Sequence, residues 1–218
     1  MFPIGDDDSA VRTVPVVTYG LIIANVLFFL VELSGGERFI MEWAFIPLRF
    51  TLHPLADWPT IFTAMFMHGG WMHLLGNMLY LYIFGNNVED HFGPVKYLIF
   101  YLTAGVAATF AQYVINEGSS IPNVGASGAI AGVLGAYILM FPRSRVDVLV
   151  IRHVISMPAA AVIGFWIVLQ LFSGFGSIAY TDETADTGGV AYMAHVGGFA
   201  AGFAIALLFR RRSPSPMA

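Results

Sequence analysis

The sequence predicts an all-α polytopic membrane protein, and two observations carry that prediction. Hydrophobic residues make up 57% of the 218-residue chain and charged residues only 11%, with a mean hydropathy of +0.73. Soluble domains carry about 25% charged residues. The apolar residues also fall into six runs, each near the roughly 20 residues that a helix needs to cross about 30 Å of hydrocarbon. The chain has no cysteine, which excludes disulfides, thiolate nucleophiles and Cys-ligated metals. A net charge of -4 supplies no footprint for nucleic acid, and none is expected as a partner.

Residues 1–13 read as an acidic cytoplasmic tail without a cleavable signal peptide. The first span is Val14–Leu33. The segment Ser34–Gly70 is too long for a plain connection. It is rich in aromatics and broken by Pro47, Pro54 and Pro59, as expected of short amphipathic pieces in the membrane interface. Spans two and three are Trp71–Val88 and Val95–Ile115. The fourth, Ala126–Phe141, is short, as suits a helix that starts below the membrane surface. The fifth is Val148–Phe172, followed by a polar, glycine-rich loop, "SGFGSIAYTDETADTGG". The sixth is Val190–Phe209, and residues 211–218 form a second cytoplasmic tail. Residues 14–210 thus read as one six-helix domain, with no internal repeat.

Lys and Arg concentrate on the cytoplasmic side of a membrane protein. With six spans, both termini share a side with the second and fourth loops. That side holds Arg12, Lys96, Arg143, Arg145, Arg152, Arg210, Arg211 and Arg212, and the other only Arg38 and Arg49. Both termini are therefore expected in the cytoplasm, in a cell (inner) membrane. Helices two, four and six then run inward.

Polar groups inside a membrane cost several kcal/mol unless paired, so each is a functional hypothesis. "HGGWMHLLGN" places His73 and Asn77 at i and i+4, on one helix face. "GASG" puts Ser127 at the start of the fourth helix, and "AHVGGFAAG" puts His195 near the start of the sixth. All three clusters lie in or near the first turns of inward-running helices, hence in one outer layer of the membrane. Four polar side chains at one depth imply a shared cavity. Gly128 and Gly132 form a GxxxG face on the fourth helix, and Gly198 and Gly202 form another on the sixth. Such faces let helix backbones approach closely. Taken singly, a transmembrane serine bonds its own backbone, a GxxxG pair is a packing device, and a lone histidine is structural. Their coincidence in depth favours catalysis.

A serine hydroxyl becomes a nucleophile when a base takes its proton, and neutral histidine is the usual base. Ser127 and His195 supply that pair. An oxyanion would need preorganised donors, for which the candidates are His73, Asn77 and the Ser127 backbone N–H. Gly125 and Gly128 keep the approach to Ser127 open. Asp182, Glu183 and Asp186 read as solvated loop charges, so the unit is a dyad without a carboxylate. His68 lies about 140° around an ideal helix from His73 and is expected to face elsewhere, pinning the long first loop.

At these residues the sequence resembles the rhomboid family of intramembrane serine proteases. His73 and Asn77 match a His-x-x-x-Asn pattern, "GASG" matches Gly-x-Ser-Gly, and "AHVGGFAAG" matches Ala-His-x-x-Gly-x-x-x-Gly. "GNNVEDHFG" (Gly85–Gly93) resembles the stretch closing the second helix, where Glu89 would be structural. The resemblance implies a rhomboid-like bundle that cleaves transmembrane or membrane-anchored proteins near the outer face, with no cofactor and no metal. It implies substrate access beside the fifth helix, with Phe165, Trp166, Leu169 and Phe172 as either gate residues or a lipid-facing stripe. One departure is Ala131, where some members carry a tyrosine packed on the catalytic histidine. Two rival readings make different demands on the sequence. A catalytically dead, helix-binding relative is expected to lack Ser or His, and this chain has both. A small transporter or proton channel should show paired intramembrane acids or repeated broken helices. The sequence has neither.

Overall fold

The computed structural model describes residues 2–179 and 191–209. A short strand β1 (Phe2–Asp6) precedes the long helix α1 (Val16–Trp43). Three short helices follow, α2 (Pro47–Leu52), α3 (Pro54–Asp57) and α4 (Thr60–Thr63), then a 3-10 turn at Ala64–Phe66. The bundle continues with α5 (Trp71–Phe92), α6 (Pro94–Ile115) and α7 (Ser127–Met140). A hairpin of β2 (Arg145–Val150) and β3 (His153–Pro158) leads to α8 (Ala159–Ala179), and α9 (Tyr192–Phe209) completes the described chain. Among the described residues, α1, α6 and α9 are long and apolar enough to cross a membrane. Ser127–Met140 and Ala159–Gly174 are shorter apolar stretches.

The interior is built on α7. Every residue from Gly128 to Tyr137 is buried, and a helix that is apolar all round belongs in the middle of a bundle. At about 1.5 Å per residue its 14 residues span only about 21 Å. Glycine lets α9 lie directly on it. A Cβ at Gly198 would collide with the Gly128 carbonyl oxygen, and one at Gly202 with the Gly132 carbonyl oxygen. On the other side, a Cβ at Gly128 or Gly132 would sit 2.5 Å from the methyl groups of Ala108 or Ala104 on α6. The contacts on both sides of α7 are thus set by backbone and methyl groups, the packing that small residues make possible where lipid is the solvent.

Several sequence expectations are revised. The fifth apolar run does not begin as a helix at Val148, because residues 145–158 form the β2–β3 hairpin. The reason is the alternation in "RVDVLV": Val146 and Val148 are completely buried while Arg145, Asp147 and Leu149 point out, a period-2 pattern. The tail expected at residues 1–13 contributes β1, which pairs antiparallel with β2 from Phe2↔Leu149 to Asp6↔Val146. The first helix does not stop near Leu33. It kinks at Gly36 (φ 62°, ψ −157°), a backbone state open chiefly to glycine, and runs on to Trp43. Residues 173–179 of the expected fifth loop belong to α8, and the rest of that loop, with Asp182, Glu183 and Asp186, lies outside the described residues. The expected C-terminal tail lies outside them too.

Two polar clamps tie the bundle together at the end opposite Ser127. Glu89 caps the start of α1: its Oε1 accepts from the Val17 N–H at 2.9 Å, and its Oε2 from the Thr18 N–H and Oγ1, both at 2.7 Å. These bonds satisfy helix N-terminal donors that have no intrahelical partner. The second clamp joins the sheet to the central helix, where the Tyr137 hydroxyl donates to Asp6 Oδ2 at 2.6 Å. Burial pushes the Asp6 carboxyl up to about 7, with Asp8 and Asp7 adding to the rise and the Tyr137 hydrogen bond opposing it.

Two predictions follow from this packing. Gly202→Ala should destabilise the protein by about 1–3 kcal/mol, the usual cost of overpacking, read as a lowered midpoint in detergent thermal unfolding. Gly164→Ala, whose Cβ would enter open space, is the control and should be neutral or slightly stabilising. The raised Asp6 carboxyl means that the folded state holds its proton more tightly than the unfolded chain. Its contribution therefore favours folding below the ordinary carboxylate range and is lost as pH rises from about 4 to about 7. Asp6→Asn should flatten that part of the stability–pH curve and be the more stable form at pH 8. Parallel curves for the two proteins would show that Asp6 titrates normally.

Candidate active site

The four polar side chains marked in the sequence line one cavity of about 800 Å³: His73 and Asn77 from α5, Ser127 from α7 and His195 from α9. Three of them lie in the first turns of their helices. His73 is the third residue of α5, Ser127 the first of α7 and His195 the fourth of α9. The N-terminal turns of three helices therefore converge at one end of the bundle. Ser127 directly follows Ala126 at the N-cap, so its own N–H lies among the donors that a helix leaves without an internal partner.

The long segment between α1 and α5 holds the chain leading into Ser127. Phe45 and Asn123 exchange two backbone hydrogen bonds, at 3.2 and 2.8 Å, and the Gly125 N–H donates to the Ala64 carbonyl at 2.9 Å. Arg49 braces this segment through Asp57 at 2.8 Å and the carbonyls of Met41 and Ala44. Gly125 adopts φ 133°, a conformation that side chains disfavour. A Cβ there would lie 2.9 Å from Cε1 and Nε2 of His73 and 3.5 Å from Ser127 Oγ. The bare Cα of Gly125 thus leaves the space that the His73 imidazole fills beside the serine.

Local hydrogen bonds orient the polar groups. The Gly69 N–H donates to His73 Nδ1 at 3.3 Å. An accepting Nδ1 carries no proton, so His73 Nε2 is an N–H donor on the Gly125 side. Asn77 is 8% exposed, and its Nδ2 is buried with no hydrogen-bond partner among the described residues. Its side chain lines the cavity. His195 is also 8% exposed. Its Nδ1 lies 2.6 Å from Gln170 Oε1, and its ring packs against Trp166 with centroids 5.7 Å apart.

His68 departs from expectation. It precedes α5 rather than continuing it, so the helical-wheel argument does not apply. Its ring meets His73 edge-on with centroids 5.1 Å apart, and the tie to the rest of the bundle is its backbone N–H, which donates to the buried Glu32 at 2.9 Å. Trp166 lines the cavity, whereas Phe165, Leu169 and Phe172 lie on the outer surface of α8. Ala131 is completely buried, and the aromatic neighbour of His195 comes from α8. The sequence reading missed Gln170 and Gln112, whose Oε1 accepts from the Ala194 N–H at 3.3 Å beside His195. The signal was there, since each is an amide inside an apolar run, the same cue that marked Asn77.

The Rhomboid domain model matches residues 55–212 of this chain. The chain is 32% identical over 197 residues to Rhomboid protease GluP of Bacillus subtilis (strain 168), covering 88% of this chain and 35% of that protein. It is 30% identical over 131 residues to Putative rhomboid protease YdcA of the same organism, covering 60% and 64%. It is 31% identical over 121 residues to Rhomboid-like protein 11, chloroplastic, of Arabidopsis thaliana, covering 54% and 42%. The chain spans between about a third and just under two thirds of the length of these relatives. The matched domain includes α5, α7 and α9 with all four cavity residues, and the chain belongs to the rhomboid family as an integral membrane protein.

Proposed function

We propose that this rhomboid protein is an intramembrane serine endopeptidase that cleaves transmembrane or membrane-anchored proteins near the outer membrane face. The observation that carries the proposal is the convergence of Ser127, His195, His73 and Asn77 on one cavity. That two relatives bear the name rhomboid protease supports it. In the proposed orientation both termini are cytoplasmic and the cavity end of the bundle lies towards the outer face of the cell membrane.

His195 takes the proton from Ser127 Oγ as the oxygen attacks the carbonyl carbon of the scissile peptide bond. The carbonyl π electrons move onto oxygen, giving a tetrahedral oxyanion. Three donors suit it: His73 Nε2–H, the Asn77 Nδ2 and the Ser127 N–H at the start of α7. Their value lies in being oriented before the charge appears. Collapse of the intermediate breaks the C–N bond, and the imidazolium gives its proton to the departing amine. Water then attacks the acyl-enzyme by the same route, with His195 again as base, and restores Ser127.

Purified protein in detergent, given a fluorogenic transmembrane substrate, should cleave it and should label with a fluorophosphonate. Ser127→Ala should abolish both, and His195→Ala should lower turnover by roughly 10⁴-fold or more. A wild-type protein that neither cleaves nor labels would overturn the proposal. Asn77→Ala should lower kcat by roughly 10²-fold, as loss of one oxyanion donor does, with little change in KM. An unchanged kcat would confine Asn77 to a structural role.

A further inference from the structure

The two cavity imidazoles sit in opposite hydrogen-bonding situations. His73 Nδ1 faces a donor, the Gly69 N–H, whereas His195 Nδ1 faces the amide oxygen of Gln170 at 2.6 Å. An amide oxygen can only accept, so the proton in the second contact belongs to Nδ1. A neutral imidazole with its proton on Nδ1 has an unprotonated Nε2. We propose that Gln170 is a positioning residue that holds His195 in this tautomer, so that Nε2 is the nitrogen presented to Ser127 as base. The inference rests on the protease reading above and assigns to a neutral amide the orienting part that a carboxylate plays in a three-membered catalytic unit.

The setting of Gln170 supports the role. In α8, "AAAVIGFWIVLQLFSGFGSIA", it is the sole residue with an amide or charged side chain. An unpaired amide in such a helix is costly, and Gln170 meets that cost by bonding His195. Trp166 lies four residues earlier, on the same helical face, and packs on the same imidazole. One face of α8 therefore supplies both a wall for the ring and an acceptor for its proton. A neutral acceptor orients the ring without placing a fixed charge beside it, which suits an apolar helix better than an aspartate would.

The test compares wild type, Gln170→Met and Gln170→Glu in the cleavage and fluorophosphonate assays, with thermal unfolding as the folding control. Methionine keeps the length and most of the volume but cannot replace the acceptor. Q170M should fold with a near-wild-type midpoint, lose about 10- to 100-fold in kcat, as outer-shell losses at histidine ligands do, and keep its KM. Q170E restores an acceptor that cannot donate when ionised. It should recover kcat to within a few-fold of wild type. ¹⁵N NMR of the His195 ring gives a readout independent of turnover, and it should show Nδ1 protonated in wild type and Nδ1 occupancy reduced in Q170M. An active wild type whose Q170M variant keeps kcat and ring tautomer would overturn the inference. So would a Q170E variant as impaired as Q170M, since that pattern belongs to an amide that donates. A wild type that is inactive in both assays overturns the protease reading instead, and the ¹⁵N spectrum still decides the tautomer.

Discussion

The architecture depends on the contact between α7 and α9, where backbone meets backbone. Gly198 and Gly202 on α9 face the carbonyls of Gly128 and Gly132 on α7, with no room for a Cβ at either α9 position. In a membrane, helices gain little by hiding apolar surface from lipid that is itself apolar, so close packing and hydrogen bonding must hold them together. The same contact sets the site. Ser127 begins the first of these helices and His195 lies in the first turn of the second. Larger residues at Gly198 or Gly202 would separate the helix axes, and with them the two side chains.

Around that contact the rest of the chain supplies constraint. The segment between α1 and α5 holds the strand before Ser127 through the Phe45–Asn123 pair and the Ala64–Gly125 bond. At the opposite end, Glu89 secures α1 to α5, and Asp6 secures the three-stranded sheet to Tyr137 on α7. The central helix is thus held at both ends by polar bonds and along its length by small side chains. That division has a physical reason. Hydrogen bonds through side chains need room for those side chains, which the glycine seam between α7 and α9 does not leave.

The cavity combines groups whose polarity is set by their neighbours rather than by their own identity. Two histidines face it, and the backbone donor beside one and the amide acceptor beside the other place their protons on different nitrogens. One ring can then act as donor while the other acts as base. Asn77, whose buried amide nitrogen has no partner among the described residues, adds a donor to the cavity lining.

The sequence by itself determined the membrane class, the long helices α5, α6, α7 and α9 to within a few residues, and the four polar residues that share the cavity. These are legible because lipid imposes a plain code: apolar runs mark helices, and a polar group inside one needs a reason. His73, Asn77, Ser127 and His195 each sit close to a helix start, so their common depth could be counted from the helix ends. The tertiary structure alone decided the rest. The β2–β3 hairpin was hidden because its valines and isoleucines run on into the apolar start of α8, although the alternation of "RVDVLV" is the pattern of a strand with one buried face. His68 was misplaced because its distance from His73 was reckoned along a helix that begins three residues later. The ties to Gln170 and from Tyr137 to Asp6 join residues 25 and 131 positions apart, and no local pattern encodes a contact of that range. Which nitrogen of His195 carries the proton is a property of its neighbour, and that neighbour is chosen only when α8 packs against α9.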